Sequence, residues 1–428
     1  MRKLVLIAAL AATPIVVGSA LAVPTERERA VQIDHVAIAP SETADLERVA
    51  QGLRQPWSVA FVSADELLIT EKYRGVRVWR SGVLTPDVLP GGPTNVFAKE
   101  DSGLLDIALD PDFATNRTVY IAFAEGTEAA NRTAVWKARY DGDRLSDGRV
   151  IFRVKPDKSD SSHPGGRILF LPDKTFLLSI GDGFKYKTAA QDLGSHLGKI
   201  LRLTRDGAAP RDNPFVGRAG ALPEIWTLGH RNPQGLARDP DTGIIWEHEH
   251  GPRGGDEINI LRAGLNYGWP TLTHGIDYDG KIISERTFAP GFEPSLFYWA
   301  PSIAPSGLAV YRGPFADWQG KLFVGALANK SVVRVRRGND TGFLVEDERM
   351  FVPLKKRIRD IRQGPDGFLY VLTDEESASL YRIHPKQTAS VGSGASTVCV
   401  FTPDIRLIET PPLKERNNAS KCRTGAPS

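Results

Sequence analysis

Cysteine is almost missing from this chain of 428 residues: there are two, Cys399 and Cys422, both near the C-terminal end. Neither has a flanking histidine, which sets a zinc-type site aside, and in an oxidising compartment a disulfide stapling the tail is the expectation. Charge of one sign is missing too. The 54 basic and 51 acidic residues leave +3, and losing Arg2 and Lys3 with a leader would leave 3 − 2 = +1. That balance offers no field to draw nucleic acid or acidic lipid, so a small neutral substrate is the easier partner. No apolar run beyond the first residues is long enough to cross a bilayer, so no span is expected in the mature protein. Long helical periodicity is hard to find.

The beginning of the chain has a layout of its own. Met1, Arg2 and Lys3 precede an apolar stretch from Leu4 to Val17, followed by Ala20-Leu21-Ala22. A charged start, a short apolar run and a small-x-small site are the three parts of a secretory signal peptide. A membrane anchor fits less well, because the run is short and contains Pro14. Residues 1–22 are therefore expected to be removed, and the protein to be exported to a periplasm or beyond.

Short β-branched and aromatic runs bounded by Gly, Pro, Asp and Asn fill the rest. One phrase returns: an apolar strand, a Pro-Asp or Asp-Gly turn, then a second apolar strand. It begins at Trp57, Leu105, Arg167, Gly235, Gly307 and Ile358. Six copies at a spacing of roughly 45 to 70 residues, each able to supply about four strands, predict a six-bladed β-propeller. Two stacked β-sandwiches are the alternative, but they need no repeated phrase. The expected propeller covers 46–386, with extensions at 23–45 and 387–428. Because blades radiate from one axis, loops distant in sequence converge on one face.

Several linkers are unusually polar, glycine-rich or charged, as loops that approach a ligand closely tend to be. They include Ser162-His-Pro-Gly-Gly-Arg, Gly229-His-Arg-Asn-Pro-Gln-Gly, His248-Glu-His-Gly-Pro-Arg-Gly-Gly-Asp-Glu-Ile-Asn and Arg357-Ile-Arg-Asp. Together with Asn266-Tyr-Gly-Trp-Pro and Pro301-Ser-Ile-Ala-Pro-Ser, in this order, they resemble the soluble aldose sugar dehydrogenases that depend on pyrroloquinoline quinone (PQQ). The resemblance runs from about Leu46 to about Ile383.

The resemblance implies oxidation of aldoses at the C1 hydroxyl to lactones, with PQQ and Ca2+ as cofactors. Electrons would pass to an external acceptor such as a quinone, a dye or a cytochrome. It implies that His163 is the general base, a role suited to an imidazole that titrates near neutrality. Arg231 and Asn232 match a pair beside the reactive carbonyl, where a guanidinium stabilises growing negative charge. Arg357 and Arg359 match the pair gripping the cofactor carboxylates, and Asp101, His250, Ser302 and Lys330 fall at further cofactor positions. The carbonyls of Gly251 and Pro252 match the ligands of a catalytic calcium, and Glu257 with the Tyr267 carbonyl match those of a second, structural one.

Three positions depart from the pattern. Asp101 stands where relatives often carry Gln, Ala328 where a Lys is expected with Lys330 two residues on, and Ala300 where a stacking Trp is expected beside Trp299. Two other readings stay open: a calcium propeller lactonase, against which the paired arginines count, and a non-catalytic carbohydrate-binding propeller.

Overall fold

The computed structural model describes residues 43–338 and 343–386. The expected leader and the Cys399 and Cys422 pair lie outside these residues. Within them are six four-stranded antiparallel sheets, the blades of a six-bladed β-propeller. Each repeated phrase supplies the first two strands of one blade. In the second blade, for example, Leu104–Leu109 and Thr118–Gly126 flank the Asp-Pro-Asp turn, and Asn131–Tyr140 and Leu145–Arg153 complete the sheet.

The first, third, fourth and fifth blades begin with strands Pro56–Ser63, Ile168–Phe170, Pro233–Arg238 and Pro305–Val310. The last blade joins both ends of the described chain: Ile358–Gln363, Leu369–Thr373 and Ala378–Pro385 are completed by Ala44–Leu53. That strand pairs antiparallel with Ala378–Pro385, so backbone hydrogen bonds close the ring.

What holds the blades to each other is apolar burial between their faces. Six clusters of buried side chains each bridge neighbouring blades; one packs Leu177, Ile200 and Trp226 of the third blade on Leu236 and Tyr267 of the fourth. Because a blade is covered on both faces, its inner strands read as continuous apolar runs and not as an alternation. Where the first two strands turn, at the far end of the axis, aspartates pin one blade to the next. Asp110 meets Arg205 at 2.9 Å and Asp239 meets Arg312 at 2.7 Å.

This topology decides where chemistry can be built. A four-stranded antiparallel blade enters its innermost strand from the same end at which its second strand hands over to its third. Each blade thus presents two loops to one face of the ring. Farther down the axis, ion pairs link the blades: Arg167 lies 3.1 Å from Asp360 and 3.5 Å from Asp106, and Arg362 pairs with both carboxylates.

Candidate active site

His163 stands in the linker that enters the third blade, in a left-handed conformation with φ 50°. Its Nδ1 lies 2.7 Å from Asp182 Oδ1, and Asp182 comes from the other loop of the same blade. The buried Asp182 carboxylate accepts twice more, from the Phe184 amide at 2.8 Å and from Trp269 Nε1 at 2.8 Å. Burial alone would raise its pKa, but the bond from His163 and the nearby Arg231 charge outweigh it and hold the carboxyl below the usual range. An ionised carboxylate only accepts, so the His163 proton sits on Nδ1. Nε2, with its lone pair, has no partner among the described residues.

Arg231 and Asn232 occupy the linker into the fourth blade. The Arg231 guanidinium donates to the carbonyls of Gly251 at 2.6 Å and His250 at 3.1 Å, and sits 5.4 Å from the Trp269 ring centroid. Asn232 Oδ1 accepts from Gln234 at 3.1 Å, while its carbonyl accepts the His250 amide. His250 is itself bonded to the Pro305 carbonyl at 2.7 Å, and burial holds its pKa well below the usual value, so it is a neutral ring.

The loop bearing Gly251 and Pro252 is fixed from below by Asp256. This carboxylate accepts from the amides of Gly251, Ile303 and Ala304 and from the Ser302 hydroxyl, at 2.7 to 3.0 Å. Burial raises its pKa to about 6 despite these donors. Gly251 is required there: a Cβ on it would come within 2.3 Å of the Gly255 backbone.

Across the mouth, Arg357 and Arg359 both reach Asp374 Oδ2, at 3.2 and 2.8 Å. The strand begins only at Ile358 and shifts register before Asp360, so it is the shared carboxylate that brings the two arginines together. Lys72, buried in the first blade, joins them; burial and then Arg359 lower its pKa, while Asp374 and Asp101 oppose the shift. Burial would raise Asp374, yet Arg359, Lys72 and Arg357 hold it at about 2. The Nε of Arg359 is buried with no hydrogen-bond acceptor. Asp101 lies within electrostatic reach of Lys72 and Lys158, so the negative charge that departs from the family pattern is answered locally.

The structure also places Lys330 and Trp299. Lys330 ends its loop exposed, with no ion pair among the described residues. Trp299 cannot supply the missing wall beside Ala300: it is fully buried between blades and donates to Glu346 at 2.9 Å.

Glu257 faces Glu249 across the ladder of the fourth blade, with Glu247 opposite Asn259. His230, Glu247 and Glu249 offer ligand atoms that all lie within 4.8 Å of one another. Glu247 Oε1 and Asn259 Oδ1 are buried without partners, and burial followed by the charge of Glu249 pushes Glu247 and Glu257 well above the carboxylate range. His230 stacks on Tyr267 at 4.8 Å. Unsatisfied buried oxygens of this kind suit a hard cation.

Sequence reasoning missed Lys72, Asp182, Phe184, Asp374 and Tyr278, which lie outside the motifs that carry the resemblance. Gly181-Asp-Gly183 directly after a strand was the one usable signal.

The chain is 42% identical over 355 residues to the aldose sugar dehydrogenase YliI of Escherichia coli, covering 81% of this chain and 95% of that protein. Among solved structures, the apo-form of the soluble aldose sugar dehydrogenase from Escherichia coli superposes with a TM-score of 0.77 at 40% identity, over 80% of this chain and all of that one. The PQQ-bound aldose sugar dehydrogenase from Streptomyces coelicolor gives 0.65 at 27% identity, over 81% of this chain and 100% of that one. A family profile described as Glucose / Sorbosone dehydrogenase matches residues 53–382, and the chain belongs to that family of sugar-oxidising propeller enzymes.

Proposed function

We propose that this protein oxidises aldoses at the C1 hydroxyl to lactones, using PQQ and calcium, and passes the electrons to an external acceptor. The observation that carries the reading is the His163 and Asp182 pair at 2.7 Å, its Nε2 unengaged and set in a mouth of cations. In this reading Nε2 takes the hydroxyl proton while Asp182 stabilises the imidazolium that forms.

The donor set fits an anionic cofactor. Lys72, Arg357 and Arg359 gather around Asp374 with Asp101 in reach of Lys72, and the buried Nε of Arg359 lacks an acceptor among the described residues. These three cations would hold carboxylates, Arg231 and Asn232 would flank the reactive carbonyl, and the Gly251 and Pro252 carbonyls would hold the calcium. Bound there, PQQ supplies a two-electron acceptor and calcium the Lewis acidity that polarises it. The second cation belongs with Glu257, the Tyr267 carbonyl and the adjoining Glu247 and Glu249. The N-terminal layout of residues 1–22 marks the protein for export.

The test is reconstitution. Dye-linked glucose oxidation is expected only when PQQ and calcium are both added, with bleaching of the oxidised quinone band on adding glucose. No aldose oxidation under those conditions overturns the reading.

A further inference from the structure

Phe184 is the residue at the mouth whose conformation the fold does not explain. It exposes 42% of its surface beside the buried His163, and its backbone is left-handed at φ 63°, directly after Gly183 at φ 68°. A non-glycine residue there costs on the order of 1 kcal/mol, and an aromatic face in water adds nothing to stability. Yet the geometry is held firmly. The Phe184 amide donates to the same Asp182 oxygen that orients His163, and the two rings meet edge to face at 5.2 Å and 89°. One carboxylate therefore ties the base to the Phe184 backbone, and the edge-to-face contact sets the aromatic ring against the imidazole. Tyr278, 58% exposed, continues the wall at 6.3 Å and 34°.

Resting on the function proposed above, we propose that Phe184 is the platform on which the pyranose ring of the substrate stacks. A pyranose carries C–H groups on its ring faces and hydroxyls around its rim, so an aromatic face can bind it without competing for those hydroxyls. A sugar lying on Phe184 presents its rim to His163, and the shared Asp182 anchor keeps the C1 hydroxyl in register with Nε2. Stacking needs a flat ring and little else, so this contact selects for pyranoses and against acyclic alcohols.

Three variants of the PQQ- and calcium-loaded protein, Phe184→Leu, Phe184→Trp and Phe184→Gly, test this with glucose and xylose as substrates. Leucine keeps the apolarity and loses the face, so KM should rise on the order of tenfold; glycine loses both, and the rise should be on the order of a hundredfold. Tryptophan should hold KM near or below that of the wild type. Glycine also relieves the left-handed backbone, so Phe184→Gly should melt no lower than the wild type. Ring protons of glucose should show saturation transfer in the wild type that Phe184→Leu weakens. If Phe184 only buttresses His163, Phe184→Leu will lower kcat and move the pH profile with KM unchanged, and the proposal fails. A fall in melting temperature across the series with unchanged KM also overturns it. A wild type that oxidises no aldose overturns the parent reading and this one with it.

Discussion

Asp182→Asn is the most informative single change, because the carboxylate accepts from three donors and an amide can accept from only one side. If the amide oxygen keeps facing His163 and Phe184, the amide nitrogen must face Trp269 Nε1, and two donors collide at what is now a 2.8 Å bond. If the amide turns over, its nitrogen meets His163 Nδ1, the ring must take the other tautomer, and Nε2 becomes a donor that cannot accept a proton. The first arrangement loses a charge-assisted bond to the imidazolium, about 1.5 to 3 kcal/mol, which is roughly ten- to a hundredfold in rate. The second removes the general base, which typically contributes about 10²- to 10⁴-fold. Steady-state kinetics of dye-linked glucose oxidation, with PQQ and calcium saturating, should therefore show kcat down by roughly tenfold at least and up to about 10⁴-fold. Cofactor affinity should change little, because Arg357 and Arg359 lie elsewhere on the mouth. A folded Asp182→Asn protein whose kcat stays within about threefold of wild type would refute the assignment of His163 and Asp182 as one working pair.

Four further outcomes follow from the same geometry. Arg357→Ala with Arg359→Ala should weaken PQQ binding, measured by absorbance titration, by roughly a hundredfold or more, since each guanidinium offers a charge-assisted bond worth about 1.5 to 3 kcal/mol; a lactonase would keep its activity. Asp374 sits at about 2 against an ordinary 3.8, a gap worth about 2 kcal/mol. Its folded pKa is depressed, so this stability is present above about pH 4 and lost as pH falls towards 2; urea melts of wild type and Asp374→Asn should converge over that window. Gly251→Ala forces a Cβ to 2.3 Å from the Gly255 backbone and should abolish calcium-dependent activity, while circular dichroism still reports the propeller. Calcium should raise the melting temperature of cofactor-free protein, chelator should reverse the gain, and Glu257→Gln should remove most of it.

The fold was legible because its repeating unit is short-range chemistry. The Asp-Pro-Asp and Pro-Asp turns after Leu105, Arg167 and Gly235 mark where the innermost strand of a blade reverses into the second, and those turns are local. What was not legible is the pairing of Ala44–Leu53 with Ala378–Pro385. Ring closure joins segments more than three hundred residues apart in number, and nothing in either strand names the other.

The site divides along the same line. His163, Arg231, Asn232, Ser302 and Arg357 lie in linkers entering the innermost strands and were found through the motifs there, which are glycine-bearing at His163 and Arg231 and distinctive by charge or proline at Arg357 and Ser302. Loops joining the second and third strands carry plainer sequences at Lys72-Tyr-Arg and Asp374-Glu-Glu-Ser, while the one holding Asp182 is long and runs from Phe176–Ile180 to Lys199–Leu203. They supply Lys72, Asp182 and Asp374, which look like ordinary turn residues until the ring brings them to the mouth. The loop at Gly251 and Pro252 was also found from its sequence, because Gly251 must leave room for the Gly255 backbone. Under the function proposed above, residues of the first kind would contact the cofactor or substrate, whereas Asp182 orients His163 and Asp374 draws the two arginines together. Under the proposed function the motifs hold groups that would touch the cofactor, whereas Asp182 and Asp374, which tune them, are brought to the mouth by topology and show themselves only on the assembled face.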